Sequence, residues 1–288
     1  MLNLKHFPFY ALLLLALTLA SCMPISFVIK FEPGIGYEIR GDQVYYSPDE
    51  NGYYRSAPRE LVPEAEAGTF QILEQFGYAR DAHHVFFQGK VMANAEAATF
   101  EIVGCRYARD RQHVYFDDRV VEGAQAASFR LIAICYAGDR QHVYLGGTVL
   151  EDADPNSFEL FMSTGFDAGL YARDHRHVYR LGVLIENADR DSFELLGYSG
   201  CDHFNGEYYA RDKGYVYFSG EVMPGADPAT FQLLGGCGYA KDAKRAYFES
   251  RVIDGADLMT FQILGNSQAR DKNNCYRYGF VDSPGACN

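Results

Sequence analysis

The chain has 288 residues, with 26 Lys and Arg against 38 Asp and Glu, for a formal net charge of −12. It is 48% hydrophobic and rich in aromatics, with 22 Tyr, 21 Phe and no Trp. That composition excludes a disordered chain. The basic residues are scattered singly, which excludes the clustered positive patch that nucleic acid or an anionic lipid surface requires.

Lys5 and His6 precede Phe7–Leu19, an apolar run of 13 residues. A helix needs about 20 apolar residues to span a bilayer, so this run suits the h-region of a secretory signal. Leu19-Ala20-Ser21-Cys22 follows it and resembles a bacterial lipobox, in which a lipidated cysteine becomes the first mature residue. Residues 1–21 are therefore expected to be a signal peptide and Cys22 the lipidation site, since two or more acyl chains anchor stably where one does not. Met23 in place of Asp after that cysteine is similar to the sorting context of outer-membrane lipoproteins. The expected location is the bacterial outer membrane, facing the periplasm. Cleavage removes one lysine and no acid, taking the charge from −12 to −13, so attachment to the membrane rests on the lipid.

Residues 22–77 are irregular. Val44-Tyr45-Tyr46 and Ala67–Leu73 resemble the two halves of a repeat separated by an insertion around Ser47–Pro58, which predicts an atypical capping repeat.

Residues 78–288 repeat. Tyr-Ala-Arg/Lys-Asp, three variable residues, a small apolar residue and an aromatic recur with aspartates at Asp81, Asp110, Asp139, Asp174, Asp212, Asp242 and Asp271. A phenylalanine, usually preceded by Ser or Thr, lies 19 positions after each of the first six: Phe100, Phe129, Phe158, Phe193, Phe231 and Phe261. A fixed internal spacing makes each copy one folded unit and the row a tandem array. Within a copy, the polar Asp turn leads into a run such as His113-Val114-Tyr115-Phe116, rich in β-formers. Turn chemistry such as Gln88-Gly89 or Ser219-Gly220 then closes a hairpin. Asp227-Pro228 reads as the start of one short helical turn, and Phe261-Gln262-Ile263-Leu264 as a further strand. The expected fold is all-β: about seven units of roughly 29–38 residues, each a hairpin, a helical turn and a further strand. An open solenoid-like stack is preferred to a small-bladed propeller, whose blades need about 40 residues. Two aromatic columns, the Phe anchors and Phe86, Tyr115, Tyr144, Tyr179, Tyr217, Tyr247 and Tyr276, are expected to stack from unit to unit.

Tyr209–Phe218 and Ala226–Phe231 together resemble the repeats of DKNYY-family proteins. The resemblance covers about residues 78–280, implies an exported or lipid-anchored bacterial protein, and carries over no catalytic residues. Gly138 before Asp139 and Cys275 at an otherwise apolar position depart from the pattern.

Six cysteines follow Cys22, an even number that suits disulfides in an exported chain. The repeat register suggests Cys105–Cys135, Cys201–Cys237 and Cys275–Cys287. No C-x-x-C spacing supports a zinc ribbon or redox centre. His84, His113, His142 and His177 share one register, three residues after the Asp, and form the only metal ladder the sequence offers. Tyr215, Arg245 and Asn274 fill that register elsewhere, which favours a turn-closing role. No nucleophile or phosphate-loop motif occurs, and no cofactor is expected.

Two junctions from Phe to the next Asp are long, 16 residues after Phe158 and 19 after Phe193. Their insertions, Ser163–Gly169 and Gly200–Tyr208, interrupt the same point of consecutive units and are expected on one side of the array. Phe166, Asp167, Asp202, His203 and Phe204 are the candidate partner-binding residues. The expected function is a non-enzymatic envelope lipoprotein that presents a β-repeat surface to a protein or envelope polymer. The rival is a metal- or carbohydrate-binding factor, or an enzyme, built on those loops and the histidines.

Overall fold

The computed structural model describes residues 36–48, 59–73, 77–161, 171–198, 208–235, 238–265 and 267–282. Cys22 and the signal region, Cys201, Cys237, Cys287, and Phe166, Asp167, Asp202, His203 and Phe204 lie outside them. The chain forms two compact units, Met1–Asn156 and Ser157–Asn288, with four small antiparallel sheets described in each.

In the first unit the first sheet has three strands, Gly36–Arg40, Gln43–Ser47 and Glu60–Leu61. The second is Gln71–Ile72, Tyr78–Arg80, Val85–Phe87 and Lys90–Val91. The third is Glu101–Gly104, Tyr107–Arg109, Val114–Phe116 and Arg119–Val120. The fourth is Arg130–Ala133, Tyr136–Gly138, Val143–Leu145 and Thr148–Leu150. In the second unit the fifth sheet begins at Glu159–Leu160 and continues through Tyr171–Arg173, Val178–Arg180 and Val183–Leu184. The sixth is Glu194–Tyr198, Tyr208–Arg211, Val216–Phe218 and Glu221–Val222. The seventh is Gln232–Leu233, Tyr239–Lys241, Ala246–Phe248 and Arg251–Val252. The eighth is Gln262–Gly265, Gln268–Arg270, Cys275–Arg277 and Phe280–Val281. The all-β repeat array expected from the sequence is present, and no sheet closes into a barrel.

Two details differ from expectation. The strand after each Phe anchor does not complete the hairpin before it. It pairs with the next Tyr-Ala-Arg strand, as Glu101 with Arg109 and Ile102 with Ala108, so the second to eighth sheets each have four strands and straddle the sequence repeat. The expected helical turn is a single bend closed by one i to i+3 bond, such as Thr99 N–H to Glu96 O at 3.1 Å or Thr230 N–H to Asp227 O at 3.2 Å. Among the described residues only Ala126–Ser128 makes a 3-10 helix.

Each central strand is covered on both faces, which suits its run of apolar and aromatic residues. Within Val114-Tyr115-Phe116 the first two side chains are buried and the third half-buried, and the alanine of every Tyr-Ala-Arg segment is fully covered. Within each unit the Phe anchors wedge between consecutive sheets. Phe129 lies 5.2 Å from the Tyr107 ring behind it and 5.5 Å from Tyr144 ahead. Phe100 sits the same way between Tyr78 and Tyr115, at 5.6 and 5.7 Å, and Phe231 between Tyr209 and Tyr247, at 5.5 and 5.6 Å. Tilted contacts at 4.5–7 Å suit aromatic quadrupoles, and each ring removes about 150–250 Å² from water. Short sheets are thereby joined face to face, and a sheet of this size has too little apolar area to stand alone. The tyrosine that opens each Tyr-Ala-Arg segment forms a third aromatic column beside the two expected.

Candidate functional site

The repeated motif is where chemistry would reside if this were a repeated active site. Its aspartate is the first test. Asp110 is buried, and its Oδ1 accepts N–H bonds from Gln112 (2.8 Å) and His113 (2.7 Å). Its Oδ2 accepts from the Tyr115 hydroxyl (2.6 Å) and from Glu96 N–H (3.0 Å), 14 residues back in the preceding connector. Asp139, Asp212, Asp242 and Asp271 repeat this set with Tyr144, Tyr217, Tyr247 and Tyr276 and the connector amides of Gln125, Asp189, Asp227 and Asp257. At Asp81 the aromatic is Phe86, and the carboxylate bonds Glu66, His83 and His84 N–H.

Burial by itself would raise the Asp110 carboxyl, but the Tyr115 hydroxyl and three backbone N–H groups outweigh it and hold the group below the ordinary carboxylate range. The same balance lowers Asp81, Asp139, Asp212, Asp242 and Asp271. Burial pushes the partner Tyr115 up, and the adjacent Asp110 adds to the shift. An ionised carboxylate with four donors on it has no open lone pair aimed at solvent. It is a clasp rather than a base or a calcium ligand, which would need six to eight oxygens on one ion.

The rest of the motif clasps in both directions. The Ser or Thr before six of the Phe residues accepts an N–H from the residue after the next Asp, as Thr99 Oγ1 from Arg111 and Thr230 Oγ1 from Ala243, at 3.1 and 3.0 Å. The basic residue reaches forward: Arg109 Nη1 donates to Ala126 O and Phe129 O, both at 3.0 Å. The tyrosine also reaches forward, to the hairpin tips of the next sheet. Tyr78 donates to Asp117 O (2.6 Å) and Arg106 O (3.0 Å), and Tyr209 to Gly238 O and Glu249 O (2.9 Å each). At Tyr107 the hydroxyl accepts Gly147 N–H at 2.9 Å. Gly147 has φ 78°, and a Cβ there would come within 2.8 Å of Phe116 Cβ, so only glycine permits this approach.

The four histidines stand in one register, as the sequence predicts. Each ring lies edge-on to the aromatic two residues on, at 6.0 or 6.1 Å. Nδ1 stays 3.5–3.9 Å from its own aspartate. Tyr215 takes the same edge-on place against Tyr217 at 6.3 Å. Covering the buried aromatic is thus the shared role, and imidazole is not required for it. Among the described residues no group of three or more His, Cys, Asp or Glu is placed to hold a metal ion.

Cys105 and Cys135 belong to one core cluster between the third and fourth sheets, with Cys105 Sγ 3.1 Å from Ile134 O, and the expected disulfide between them is not formed in this structure. In the second unit the roots of the two insertions also meet. Phe161 and Tyr171 flank the first and Tyr208 ends the second. Phe161 and Tyr171 pack on Phe193 at 5.6 and 6.1 Å, and Tyr171 meets Tyr208 at 6.4 Å. Exposed aromatics among the described residues are few: Tyr215, Tyr278 and Phe280.

The sequence profile of the DKNYY family matches residues 26–119 and 107–251, which overlap on the central hairpin of the third sheet. The chain belongs to the DKNYY family. No curated protein and no solved structure matches it. In this DKNYY protein the repeated Tyr, Arg, Asp and Ser/Thr hold neighbouring sheets together in several copies, as at Tyr78, Arg109, Asp110 and Thr99. The forward reach of Tyr and Arg escaped sequence reasoning, because their partners lie 17–40 residues away and no local pattern marks them.

Proposed function

We propose that this DKNYY protein is a non-enzymatic, lipid-anchored protein of the bacterial envelope, held at Cys22 in the outer membrane. Its β-repeat array would present the inserted segments Ser163–Gly169 and Gly200–Tyr208 to a protein or envelope-polymer partner. The observation that carries this reading is the complete internal use of the repeated carboxylate, illustrated by the four donors on Asp110. A motif so engaged is scaffold, and recognition then falls to what departs from it. The contact of the insertion roots around Phe193 supports a common surface for the two loops. In the oxidising envelope, Cys105 and Cys135 would join the third and fourth sheets covalently, supported by their place in one core cluster.

Two experiments test this. Cys22→Ala should release the protein from the membrane fraction or leave its signal unprocessed, and unchanged fractionation and mature mass would refute the anchor. Crosslinking in the native host should lose its specific partner when both insertions are shortened to the 10- or 11-residue junctions of the other units. Retention of every crosslink would refute the loop surface.

A further inference from the structure

The eighth sheet presents a face unlike that of any other four-stranded sheet. In the third sheet, Tyr107, Val114 and Val121 share a core with Phe129, Ala137 and Tyr144 ahead of them. The same three registers hold a buried tyrosine and two buried apolar residues in the other sheets, as Tyr239, Ala246 and Ile253 in the seventh. In the eighth they are Gln268, Cys275 and Asp282, all half-buried. Arg277 stands where the third sheet has Phe116, and Phe280 where it has Arg119. Residues opposite one another on antiparallel strands share a face. Gln268 pairs with Arg277 and Arg277 with Phe280, which makes one row; Gln262, Arg270 and Cys275 make the next. Stacking a further sheet here would strip water from Gln268, Arg277 and Asp282, so a second copy of the array is excluded as the occupant.

We infer that this face binds an acidic polysaccharide, with a sugar carboxylate on Arg270 and a pyranose ring on Phe280. Arg109, Arg173 and Arg211 each hold a glutamate of their own sheet, Glu101, Glu159 and Glu194. Arg270 is exposed and meets the neutral Gln262 amide instead, at 3.3–3.4 Å. Among the described residues it has no carboxylate partner, and its planar fork suits one. The face carries two guanidiniums, Arg270 and Arg277, against the single carboxylate of Asp282, which accepts Arg277 Nε at 2.9 Å. That local excess of positive charge stands out in a chain of net charge −12. At about 0.15 M salt the Debye length is about 8 Å, so a bound carboxylate meets this patch and not the distant acids.

Phe280 decides between kinds of polyanion. Its ring is 64% exposed, with Arg251 over one side at 3.7 Å from the centre. The electron-rich ring face suits the polarised C–H groups of a sugar. Gln268 and Gln262 beside it can each donate to and accept from hydroxyls. An acidic peptide would use the arginines and leave the ring and the amides idle.

Isothermal titration of the purified protein with oligogalacturonate at about 0.15 M salt tests this. Saturable binding is expected, with neutral maltooligosaccharide inert. Arg270→Gln should weaken it by at least about tenfold, because it removes a charge-assisted pair. Phe280→Ala should weaken it by about fivefold. Lys90→Gln removes an exposed cation at the Phe280 register of the second sheet and should leave affinity unchanged. No saturable binding, or equal affinity in Arg270→Gln, overturns the inference. Poly-glutamate bound as tightly as the saccharide, with no effect of Phe280→Ala, overturns it in favour of an acidic peptide. The face contains no residue of the inserted segments, so shortening them should leave this binding intact, and the two surfaces fail separately.

Discussion

The hairpin Gly36–Arg40/Gln43–Ser47 and the hairpin Tyr107–Arg109/Val114–Phe116 do the same architectural job by different means. Tyr37 pairs with Tyr46 as Tyr107 pairs with Phe116, and Tyr37 accepts Gly89 N–H from the sheet ahead as Tyr107 accepts Gly147 N–H. Yet the first hairpin reverses through Gly41-Asp42, with Gly41 at φ 62°, and has no aspartate at the Asp110 register. No described residue lies behind it. A two-residue glycine turn is thus enough to reverse the chain. The repeated aspartate does something more: it binds the connector behind. The eighth sheet shows the converse, keeping the backward-reaching Asp271 while Gln268 replaces the forward-reaching Tyr.

The largest consequence is collective. Six aspartates have carboxyls lowered on folding, so their contribution is fully present above the unfolded carboxylate value of about 3.9. It is lost as pH falls through the lower folded values. Urea midpoints should therefore drop steeply below about pH 4, and a flat profile down to pH 2 would break the account.

Next in size is the aromatic wedge. Phe129→Ala should destabilise by about 3–5 kcal/mol in urea titration, from lost burial plus the cavity between Tyr107 and Tyr144. Ile39→Ala, at an exposed site of the first hairpin, should cost within about 0.5 kcal/mol.

Tyr78→Phe sharpens the comparison further. It leaves Asp117 O and Arg106 O without the hydroxyl and should cost about 1–2 kcal/mol. Tyr45→Phe removes a hydroxyl that bonds only the exposed Gln43 side chain and should be near neutral. The smallest effect belongs to the surface pair Arg109–Glu101, at 2.5 Å with Glu101 exposed. Glu101→Gln should change stability by less than about 0.5 kcal/mol, with the difference vanishing in high salt.

Much of this architecture was legible in the chain. The 19-residue spacing from Asp to Phe gave the unit, and Gln88-Gly89 and Ser219-Gly220 gave the hairpins. The phenylalanines gave the wedges. What stayed hidden was partnership at a distance. A repeat of about 29 residues can be cut anywhere without changing its period, so nothing local says that Glu101–Gly104 pairs with the Tyr107 strand ahead instead of the hairpin behind. The Ser/Thr before each Phe was visible as a preference, but its acceptor role toward the next Asp turn needed coordinates. Asp227-Pro228 suggested a helical turn because an Asx cap and a helix start look alike over four residues. Asp227 does accept Ala229 N–H at 3.1 Å and the Thr230 hydroxyl at 2.7 Å, and the chain simply extends afterwards.

The clasp is tested most directly by amide exchange in Asp110→Asn. The asparagine keeps a carbonyl oxygen for the turn but offers an NH₂ where Oδ2 accepted Glu96 N–H and the Tyr115 hydroxyl. The account predicts markedly faster exchange at Glu96, in the connector behind, with Gln112 and His113 still protected. Faster exchange at Gln112 and His113 with Glu96 unchanged would contradict it, and would reduce the repeated aspartate to a local turn residue.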